Sequence, residues 1–432
     1  MLGLKRGTVT LYDHQTEWEI EAQKTIIRLK DILGSTIRNI EHVGSTAIKT
    51  IKAKPIIDIA VAVDDFDKVL KCEEELKKHG FYYRPNSDLG EQLLFASGSL
   101  YDGTGDKQTH FIHVVKHASM DWVNYINFRD YLNNNPDIAK QYEVLKVSLA
   151  KQAPVDNGRE KYLKGKHDFI VYTLRKALVK SYLGKIVDIK IDRPIGYVHR
   201  KEKYSLTYPI NYGYIPGVLG GDGEELDVYL LGVDKPVKEY SAKIIGIVHR
   251  ENDVEDKLIA APEGISFNQA QIAEAIHFQE QYYKTSVEAV YQKSCGVVVF
   301  RTINGNREYL CLLQNYSNSY SVPKGHLEAF ETEQDCALRE LYEETGIKAE
   351  ILEGFKTKIN YNFRTRSGEK QKTVVLFLAE YNGKIDINNN EILSYQWLSA
   401  PKAMKTLPNG CDDVINKAEK FLSSQKSEIS SC

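Results

Sequence analysis

Glutamates cluster in one short segment of the chain, SVPKGHLEAFETEQDCALRELYEETGI, which spans Ser321–Ile347. Glu340 and Glu344 are four positions apart and Glu343 lies beside them, so a helix would bring all three to one face. Like charges at this spacing destabilise a helix unless a counter-charge lies nearby. Carboxylate oxygens are the hard ligands that Mg²⁺ prefers. The spacing therefore predicts that these three glutamates form a magnesium site.

A helix over Glu333–Glu344 would position these carboxylates. Thr332 is a suitable N-cap residue, and Gly346 stands where a left-handed residue would end the helix. Arg339 points to another side of the helix and can pair with Glu331. That ion pair would pin the preceding loop to the helix.

This segment resembles the Nudix box at every defined position, and the likeness extends over about Ser294–Leu422. The matching residues are Gly325, Glu331, Arg339, Glu340, Leu341, Glu343, Glu344, Gly346 and Ile347. One departure is that the family often has glycine before the glutamate at position 331, where this chain has Phe330. The resemblance implies an α/β/α sandwich and hydrolysis of a nucleoside diphosphate linked to another group, with Mg²⁺ or Mn²⁺ as the cofactor.

The Nudix resemblance also implies roles for single residues. Arg339 and Glu331 would be structural, and the helix carboxylates would be the metal ligands Glu340, Glu343 and Glu344. A general base would complete the site. It is either one of the helix glutamates or Glu391, where many family members place a later glutamate. The candidate catalytic residues are Glu343, Glu344, Glu391, Arg339 and Lys324.

The segments around the box bear on the choice of substrate. SVPKGHLE and INYNFRTRSGEKQKTVVLFLAEY resemble the asymmetric diadenosine tetraphosphate hydrolase subfamily. By that resemblance, Lys324 and Lys372 would contact phosphates and Tyr361 would stack on an adenine. Alternatives stay open for two of these residues: Tyr361 as a core or edge-strand tyrosine, and Lys372 as a surface lysine.

The middle of the chain, residues 184–290, is rich in Tyr, Pro and Gly, and its short runs predict a small β barrel. YPINYGYIPGVLGGDGEELDVYLLG resembles the signature of soluble inorganic pyrophosphatases. The resemblance implies Mg²⁺ ligands in two acidic segments, Asp222, Glu224 and Asp227, then Asp253 and Asp256 with Lys257. It also implies substrate contacts from Arg200, Tyr283 and Lys284. Three possibilities stay open for this block: an active pyrophosphatase, a domain that binds phosphate without activity, and a purely structural domain.

The first block, residues 1–180, predicts an α/β domain and resembles the GrpB family, which is related to nucleotidyltransferases. EHVGSTAIKTIKAKPIIDIAVAV and THFIHVVKHASMDWVNYINFRDYL carry this resemblance. A Gly-Ser turn, here Gly44 and Ser45, would cradle phosphates through its backbone N–H groups. Asp58 would bind metal, but the second position of the expected Asp-x-Asp pair is Ala60. This block is expected to bind nucleotide, and transferase activity is left open.

Two histidines of the first block lie on one predicted strand. His110 and His113 are expected to face the same side of that strand, where they would help to bind phosphate or metal. The alternative is a pair of structural histidines with satisfied hydrogen bonds.

Composition limits the remaining possibilities. A chain of 432 residues with a net charge of -2 predicts a multidomain α+β protein, with domains over residues 1–180, 184–290 and 293–425. The charge argues against a general nucleic-acid binder, although an RNA 5′ end stays open as a substrate. The apolar runs stay below the roughly 18 residues of a membrane span, and the six scattered cysteines fit the reducing cytoplasm. The oligomeric state is not indicated.

The leading hypothesis is a Mg²⁺-dependent hydrolase that cleaves diadenosine tetraphosphate to ATP and AMP. The expected partner is a small nucleotide or polyphosphate, with no membrane. Alternative substrates are capped RNA, ADP-ribose or a damaged nucleotide. A hypothesis from another class is a phosphate-sensing protein whose first two domains only bind nucleotide or pyrophosphate.

Overall fold

A computed structural model describes residues 2–85, 92–152, 158–201, 204–220, 223–251, 253, 255–365, 368–408 and 410–429. The chain divides into two structural units, residues 1–181 and 182–432. The strands of the first unit are β1 (Leu4–Lys5), β2 (Ile37–Val43), β3 (Ile57–Val63), β4 (Tyr82–Tyr83), β5 (Gln92–Ser97), β6 (Lys107–Gln108) and β7 (His110–Lys116). Its helices are α1 (Thr16–Leu33), α2 (Phe66–Leu70), α3 (Glu73–Lys78), α4 (Ser99–Asp102), α5 (Met120–Asn134), α6 (Pro136–Gln152), α7 (Gly158–Gly165) and α8 (His167–Tyr182).

The first unit is built around β3, in a mixed sheet of order β2-β3-β7-β5-β4. β3 runs parallel to β7 and antiparallel to β2. Its sequence IDIAVAV buries every side chain except the half-buried Asp58. The odd-numbered side chains of β3 pack against Trp18, Ala22 and Ile26 of α1, which recur at helical spacing. Because strand side chains alternate, Asp58 faces the opposite side of the sheet.

The strands of the second unit begin with β8 (Ile186–Arg193), β9 (Val198–Lys201), β10 (Tyr204–Thr207), β11 (Asn211–Leu219), β12 (Glu225–Leu230), β13 (Glu239–Arg250), β14 (Lys257–Ala261) and β15 (Thr285–Ala289). Strands β8, β11, β12, β14 and β13 pair in that order, and β13 pairs back to β8, which closes a barrel. Helix α9 (Gln269–Glu280) covers it, since Ile272 and Ile276 share a core with Tyr212 and Tyr229. The predicted small barrel is therefore present.

The last part of the second unit is a sandwich. Its strands are β16 (Tyr291–Ile303), β17 (Asn306–Gln314), β18 (Tyr320–Ser321), β19 (Lys324–His326), β20 (Thr357–Thr365), β21 (Gly368–Glu380) and β22 (Ile392–Ser399). Its helices are α10 (Glu333–Thr345), α11 (Ala400–Thr406) and α12 (Cys411–Ile429). The main sheet has the order β18-β17-β16-β21-β20, with β19 on β16 and β22 on β17. Alternation along β16 sends Val297 toward α10 and Val298 toward α12, so helices cover both faces.

The barrel and the sandwich are joined almost without a linker. β15 ends at Ala289 and β16 begins at Tyr291, with Val290 between them. Ala270 of α9 also contributes to the core beneath α10. The two parts accordingly belong to one structural unit, and the proposed division at residues 290 and 293 stays a prediction.

Most elements expected from periodicity are confirmed, including α1, β3, β7, α8 and β16. The last helix, α12, extends through the polar segment Ser423–Ile429. Ser423 Oγ donates to Glu419 O at 2.7 Å and Ser424 Oγ to Phe421 O at 2.8 Å, which satisfies both hydroxyls within the helix. None of the helices in the described residues combines the length and apolar character that crossing a membrane requires.

Candidate functional site

Helix α10 is fixed at both ends by the residues that the sequence indicated. Thr332 Oγ1 accepts a hydrogen bond from Asp335 N–H at 3.2 Å. Gly346 has a φ of 68°, and its N–H donates to Tyr342 O at 2.8 Å. These caps place the glutamate cluster in the last turns of the helix, facing the loop that contains β19.

Glu344 is the most deeply buried carboxylate of the cluster, at 5% exposure. Its oxygens accept hydrogen bonds from Lys324 N–H at 3.2 Å and from Gln314 Nε2 at 3.4 Å. Burial raises the pKa of Glu344 to about 7, although the nearby Lys324 charge acts in the opposite direction. A cation placed beside such a buried carboxylate would strongly stabilise its ionised form.

Glu340 lies against the backbone of Gly325. A Cβ atom at position 325 would come within 1.9 Å of the Glu340 Cδ atom, so only glycine allows this approach. Burial raises the pKa of Glu340, and the charges of Glu343 and Glu391 raise it further, while Arg339 lowers it. Glu391 itself lies in the turn before β22, where its N–H donates to Asn388 O at 3.0 Å.

Arg339 joins the loop before α10 to the carboxylates on the helix. Its Nε and Nη2 donate to the two oxygens of Glu331 at 2.8 and 3.0 Å, which confirms the predicted pair. Its Nη1 also donates to Glu340 Oε1 at 2.8 Å and to Glu343 Oε2 at 3.1 Å. A further bond from Nη2 reaches His326 O at 3.1 Å. Arg339 therefore offsets the negative charges of Glu331, Glu340 and Glu343. The expectation that it points to another side of the helix is wrong, because positions 339 and 343 are four apart and share one helix face.

Among the described residues, no three His, Cys, Asp or Glu side chains are already arranged around one metal position. Arg339 lies between Glu340 and Glu343 instead. The donor set still suits a hard divalent cation, because it consists of carboxylates, two of them desolvated, and Gly325 leaves room for Glu340 to approach the loop. The residues that could hold such an ion are Glu340, Glu343 and Glu344.

A basic side of the site faces these carboxylates. Lys372 Nζ lies 3.2 Å from His326 Nε2. Burial and the Lys324 charge lower the pKa of Lys372 to about 8, and burial with the surrounding lysines lowers that of His326 to about 4. At neutral pH, His326 is therefore neutral and Lys372 is charged. Tyr361, which is 42% exposed, stands directly opposite Lys372 across β20 and β21.

The barrel carries a separate polar cluster. Lys257 Nζ donates to Asp227, to Glu255 Oε2 at 3.1 Å and to Tyr212 Oη at 2.9 Å. Close by, Arg193 Nη1 donates to Tyr208 Oη at 2.8 Å. Arg193, Tyr208 and Tyr283 line a cavity of about 540 Å³ together with His199, Leu206, Gln279 and Tyr282.

Several residues expected in the barrel site lie elsewhere. Asp256 accepts from His249 Nδ1 at 2.7 Å and Arg250 N–H at 3.2 Å, whereas Glu255 is the carboxylate that reaches Lys257. The reason is alternation: positions 255 and 257 face one way and 256 the other. Asp253 pairs with Arg250, the exposed Lys284 pairs with Glu251, and Arg200 is exposed on β9. Asp222 lies outside the described residues.

The first unit contains a cavity of about 470 Å³ that gathers the expected residues Gly44, Ser45 and Asp58. Gly44 has a φ of 70°, and a Cβ there would lie 2.4 Å from Asp58 Oδ2. Asp58 Oδ1 lies 3.3 Å from His113 Nε2, and Tyr125 Oη lies 3.0 Å from His113 Nδ1. Tyr125 Oη in turn donates to Gln92 Oε1 at 3.2 Å, so Asp58 lies at one end of a hydrogen-bonded chain that reaches Gln92.

The expectation that His110 and His113 face one side is wrong. His113 contacts Asp58 in the cavity, while the buried His110 contacts Thr25 of α1 at 3.2 Å. The two positions are three apart, and an odd spacing along a strand reverses the face.

Three family models match consecutive parts of the chain: GrpB protein over residues 8–176, Inorganic pyrophosphatase over 185–292 and NUDIX domain over 292–416. Glutamate-rich protein GrpB of Alkalihalophilus pseudofirmus is 39% identical over 171 residues, covering 39% of this chain and 96% of that protein. Bis(5'-nucleosyl)-tetraphosphatase [asymmetrical] of Mus musculus is 36% identical over 124 residues, covering 26% of this chain and 81% of that protein.

The chain belongs to the GrpB and NUDIX families. A pyrophosphatase match lies between these parts, so the three-part architecture is confirmed. A crystal structure of conserved protein GrpB from Enterococcus faecalis is also similar, with 30% identity, coverage of 40% of this chain and 99% of that chain, and a TM-score of 0.37. The chain is a hydrolase that acts on phosphoanhydride bonds, and NUDIX hydrolases generally use divalent metal ions.

Three side chains near these sites were missed by sequence reasoning. Glu255 could have been found from its spacing of two from Lys257 in the pyrophosphatase part. Arg193 pairs in register with Tyr212 across β8 and β11, and a local sequence pattern does not indicate this pairing. Tyr316 in the NUDIX part is 82% exposed. Burial raises the pKa of Tyr361, and the neighbouring Tyr316 raises it further.

Changing Gly325 to Ala should weaken divalent-metal binding by the NUDIX helix at least about tenfold, equivalent to about 1.4 kcal/mol. The added methyl group would displace the Glu340 carboxylate, which is the end of a flexible side chain, so the fold should persist. Mn²⁺ binding followed by electron paramagnetic resonance measures the effect, and thermal unfolding checks the fold. In a Glu340→Ala background the same methyl group should have little effect. Mn²⁺ affinity equal to that of the unaltered protein would contradict this reading.

Proposed function

We propose that the NUDIX part hydrolyses dinucleoside polyphosphates, with diadenosine tetraphosphate as the preferred substrate and ATP and AMP as products. The observation that carries the proposal is the opposition of a carboxylate cluster on α10 to the basic side formed by Lys324 and Lys372. A polyphosphate chain requires both sides of the site. Metal ions held by the carboxylates would neutralise its charge, and the lysine ammonium groups would orient it.

The cofactor of the proposed reaction is Mg²⁺, with Mn²⁺ as a substitute. Glu340, Glu343 and Glu344 would hold it, and when bound it would supply charge neutralisation and a more acidic water. Arg339 keeps the loop and the helix in register through Glu331 and does not need to touch the substrate.

The protein's own residues account for binding and proton transfer. Lys324 and Lys372 would bind phosphate oxygens, and the exposed ring of Tyr361 would stack on one adenine. Water attacks one phosphorus, the bridging P–O bond breaks, and the ATP or AMP leaving group takes the electron pair. Glu391 is our candidate to accept the proton of that water, since its charge acts on Glu340 from the loop before β22.

Glu343→Gln and Glu344→Gln should each lower kcat for diadenosine tetraphosphate at least ~100-fold, because each removes a charged ligand or base from the site. Glu350→Gln is the matched control, since this exposed glutamate lies just beyond α10. ATP and AMP would be separated by ion-exchange chromatography. Unchanged turnover of diadenosine tetraphosphate in both helix variants would contradict the proposal. If the protein instead cleaved ADP-ribose, NADH or 5′-triphosphate RNA, the hydrolase activity would stand, and diadenosine tetraphosphate would be rejected as the substrate.

Lys372 should give the reaction a pH dependence of its own. Its pKa of about 8 means that the ammonium is present at pH 7 and largely lost at pH 9. The KM for diadenosine tetraphosphate should therefore rise over this range, by about tenfold if one charge-assisted hydrogen bond is lost. Lys372→Arg should flatten the rise, whereas Lys358→Arg, on the exposed part of β20, should not. A KM that stays constant in the unaltered protein would exclude this role.

A second candidate function is pyrophosphate binding by the barrel. It is favoured by the cavity lined by Arg193 and Tyr283 beside the Lys257 cluster. In a Glu343→Gln background, calorimetry with inorganic pyrophosphate and Mg²⁺ should detect binding. Arg193→Gln should weaken it at least about tenfold, and the exposed Lys238→Gln should not. Equal affinity in Arg193→Gln would reject this site, and phosphate release in the same background would make the barrel a second hydrolase.

A further inference from the structure

Phe330 has an unusual backbone for a residue with a large side chain. Its φ is 63°, in the left-handed region that favours glycine. It directly precedes Glu331, at the position where NUDIX sequences often carry glycine. Its side chain is 69% exposed, so burial of the ring does not explain why the strain is tolerated.

Helix α9 of the pyrophosphatase part supplies the contacts that hold Phe330. The Phe330 N–H donates to Glu274 Oε1 at 2.8 Å. The ring of His277 meets the Phe330 ring edge to face, with centroids 5.1 Å apart. Glu274 and His277 are three positions apart on α9 and so lie on one side of it. The strained residue is therefore held at both its backbone and its ring by the neighbouring part.

The start of α9 holds the other end of the same loop. Gln269 Nε2 donates to Leu327 O at 2.9 Å and to Lys293 O at 2.7 Å, and its Oε1 accepts from Lys293 N–H at 2.9 Å. One amide side chain thus joins β16 to the residue that follows β19. Together, Gln269 and Glu274 fix Leu327 and Phe330, the ends of a four-residue loop.

This loop delivers Glu331 to Arg339. Glu331 Oε2 also accepts from Glu328 N–H at 3.2 Å, within the loop. Because Arg339 in turn contacts Glu340 and Glu343, a continuous set of contacts runs from α9 to the metal-binding carboxylates.

We propose that α9 is a clamp on the NUDIX box, in which Glu274 and Gln269 act as positioning residues. The clamp holds Phe330 in a left-handed conformation that glycine adopts without strain, and the box depends on it for the placement of Glu331 and Arg339. The inference rests on the proposed hydrolysis for its catalytic readout. It makes the pyrophosphatase part a structural component of the NUDIX site, whatever that part binds.

The test uses variants of the full chain. Glu274→Ala removes the acceptor of the Phe330 N–H, and Glu274→Gln keeps an acceptor at the same atom. Gln281→Ala, at the exposed residue that follows the last residue of α9, is the control. Hydrogen–deuterium exchange of the peptide containing Leu327–Glu331 reports on the clamp without reference to activity. The Mg²⁺ concentration for half-maximal hydrolysis reports on the carboxylates.

Glu274→Ala should speed exchange of the loop amides about tenfold, since a charged acceptor is lost, and should raise the half-saturating Mg²⁺ concentration several-fold. Glu274→Gln should stay near the unaltered protein in both measurements. With Phe330→Gly in place, Glu274→Ala should have a smaller effect on Mg²⁺, because glycine adopts the left-handed backbone unaided.

Unchanged exchange and unchanged Mg²⁺ dependence in Glu274→Ala would overturn the clamp. Absence of hydrolysis in the unaltered protein would instead overturn the proposed function. The exchange measurement would still decide the clamp in that case, so the two failures are distinguishable.

Discussion

Repulsion among the carboxylates of α10 is the constraint around which the NUDIX site is built. Glu340 and Glu344 are both desolvated, and burial raises the pKa of each. A buried carboxylate is stable only if a partner or a proton offsets its charge. Arg339 provides part of that offset by bonding to Glu340 and Glu343 while its other nitrogens hold Glu331. The remaining negative charge of the site suits an added cation.

The same charge balance explains why the two sides of the site differ. The acidic side lies on one rigid helix with both ends capped, which keeps the carboxylates close despite their repulsion. The basic side lies on the strands β19 and β21, where burial and the neighbouring Lys324 lower the pKa of Lys372. Opposite charges arranged on separate elements can bind a polyphosphate and its cations together without neutralising each other first.

Local signals in the sequence identified much of this arrangement and missed what depends on distant contacts. Thr332, Gly346 and the Glu331–Arg339 pair lie within one short motif, so spacing alone located them. His110 faces away from His113 because residues three apart on a strand point to opposite faces, and Asp256 faces away from Lys257 because adjacent residues do so. The bond from Phe330 to Glu274 spans 56 positions, and a sequence pattern gives no sign of it.

That long-range bond changes how the departure from glycine at position 330 is understood. A bulky residue in a left-handed conformation is a local cost, and a helix elsewhere in the chain must offset it. Glu274 and His277 of α9 supply the contacts that offset it. In this chain β15 passes into β16 across a single residue, and Gln269 and Glu274 of α9 bond to the loop before Glu331. The short connection thus relaxes the requirement for glycine and, in exchange, makes the geometry of the hydrolytic site depend on the neighbouring barrel.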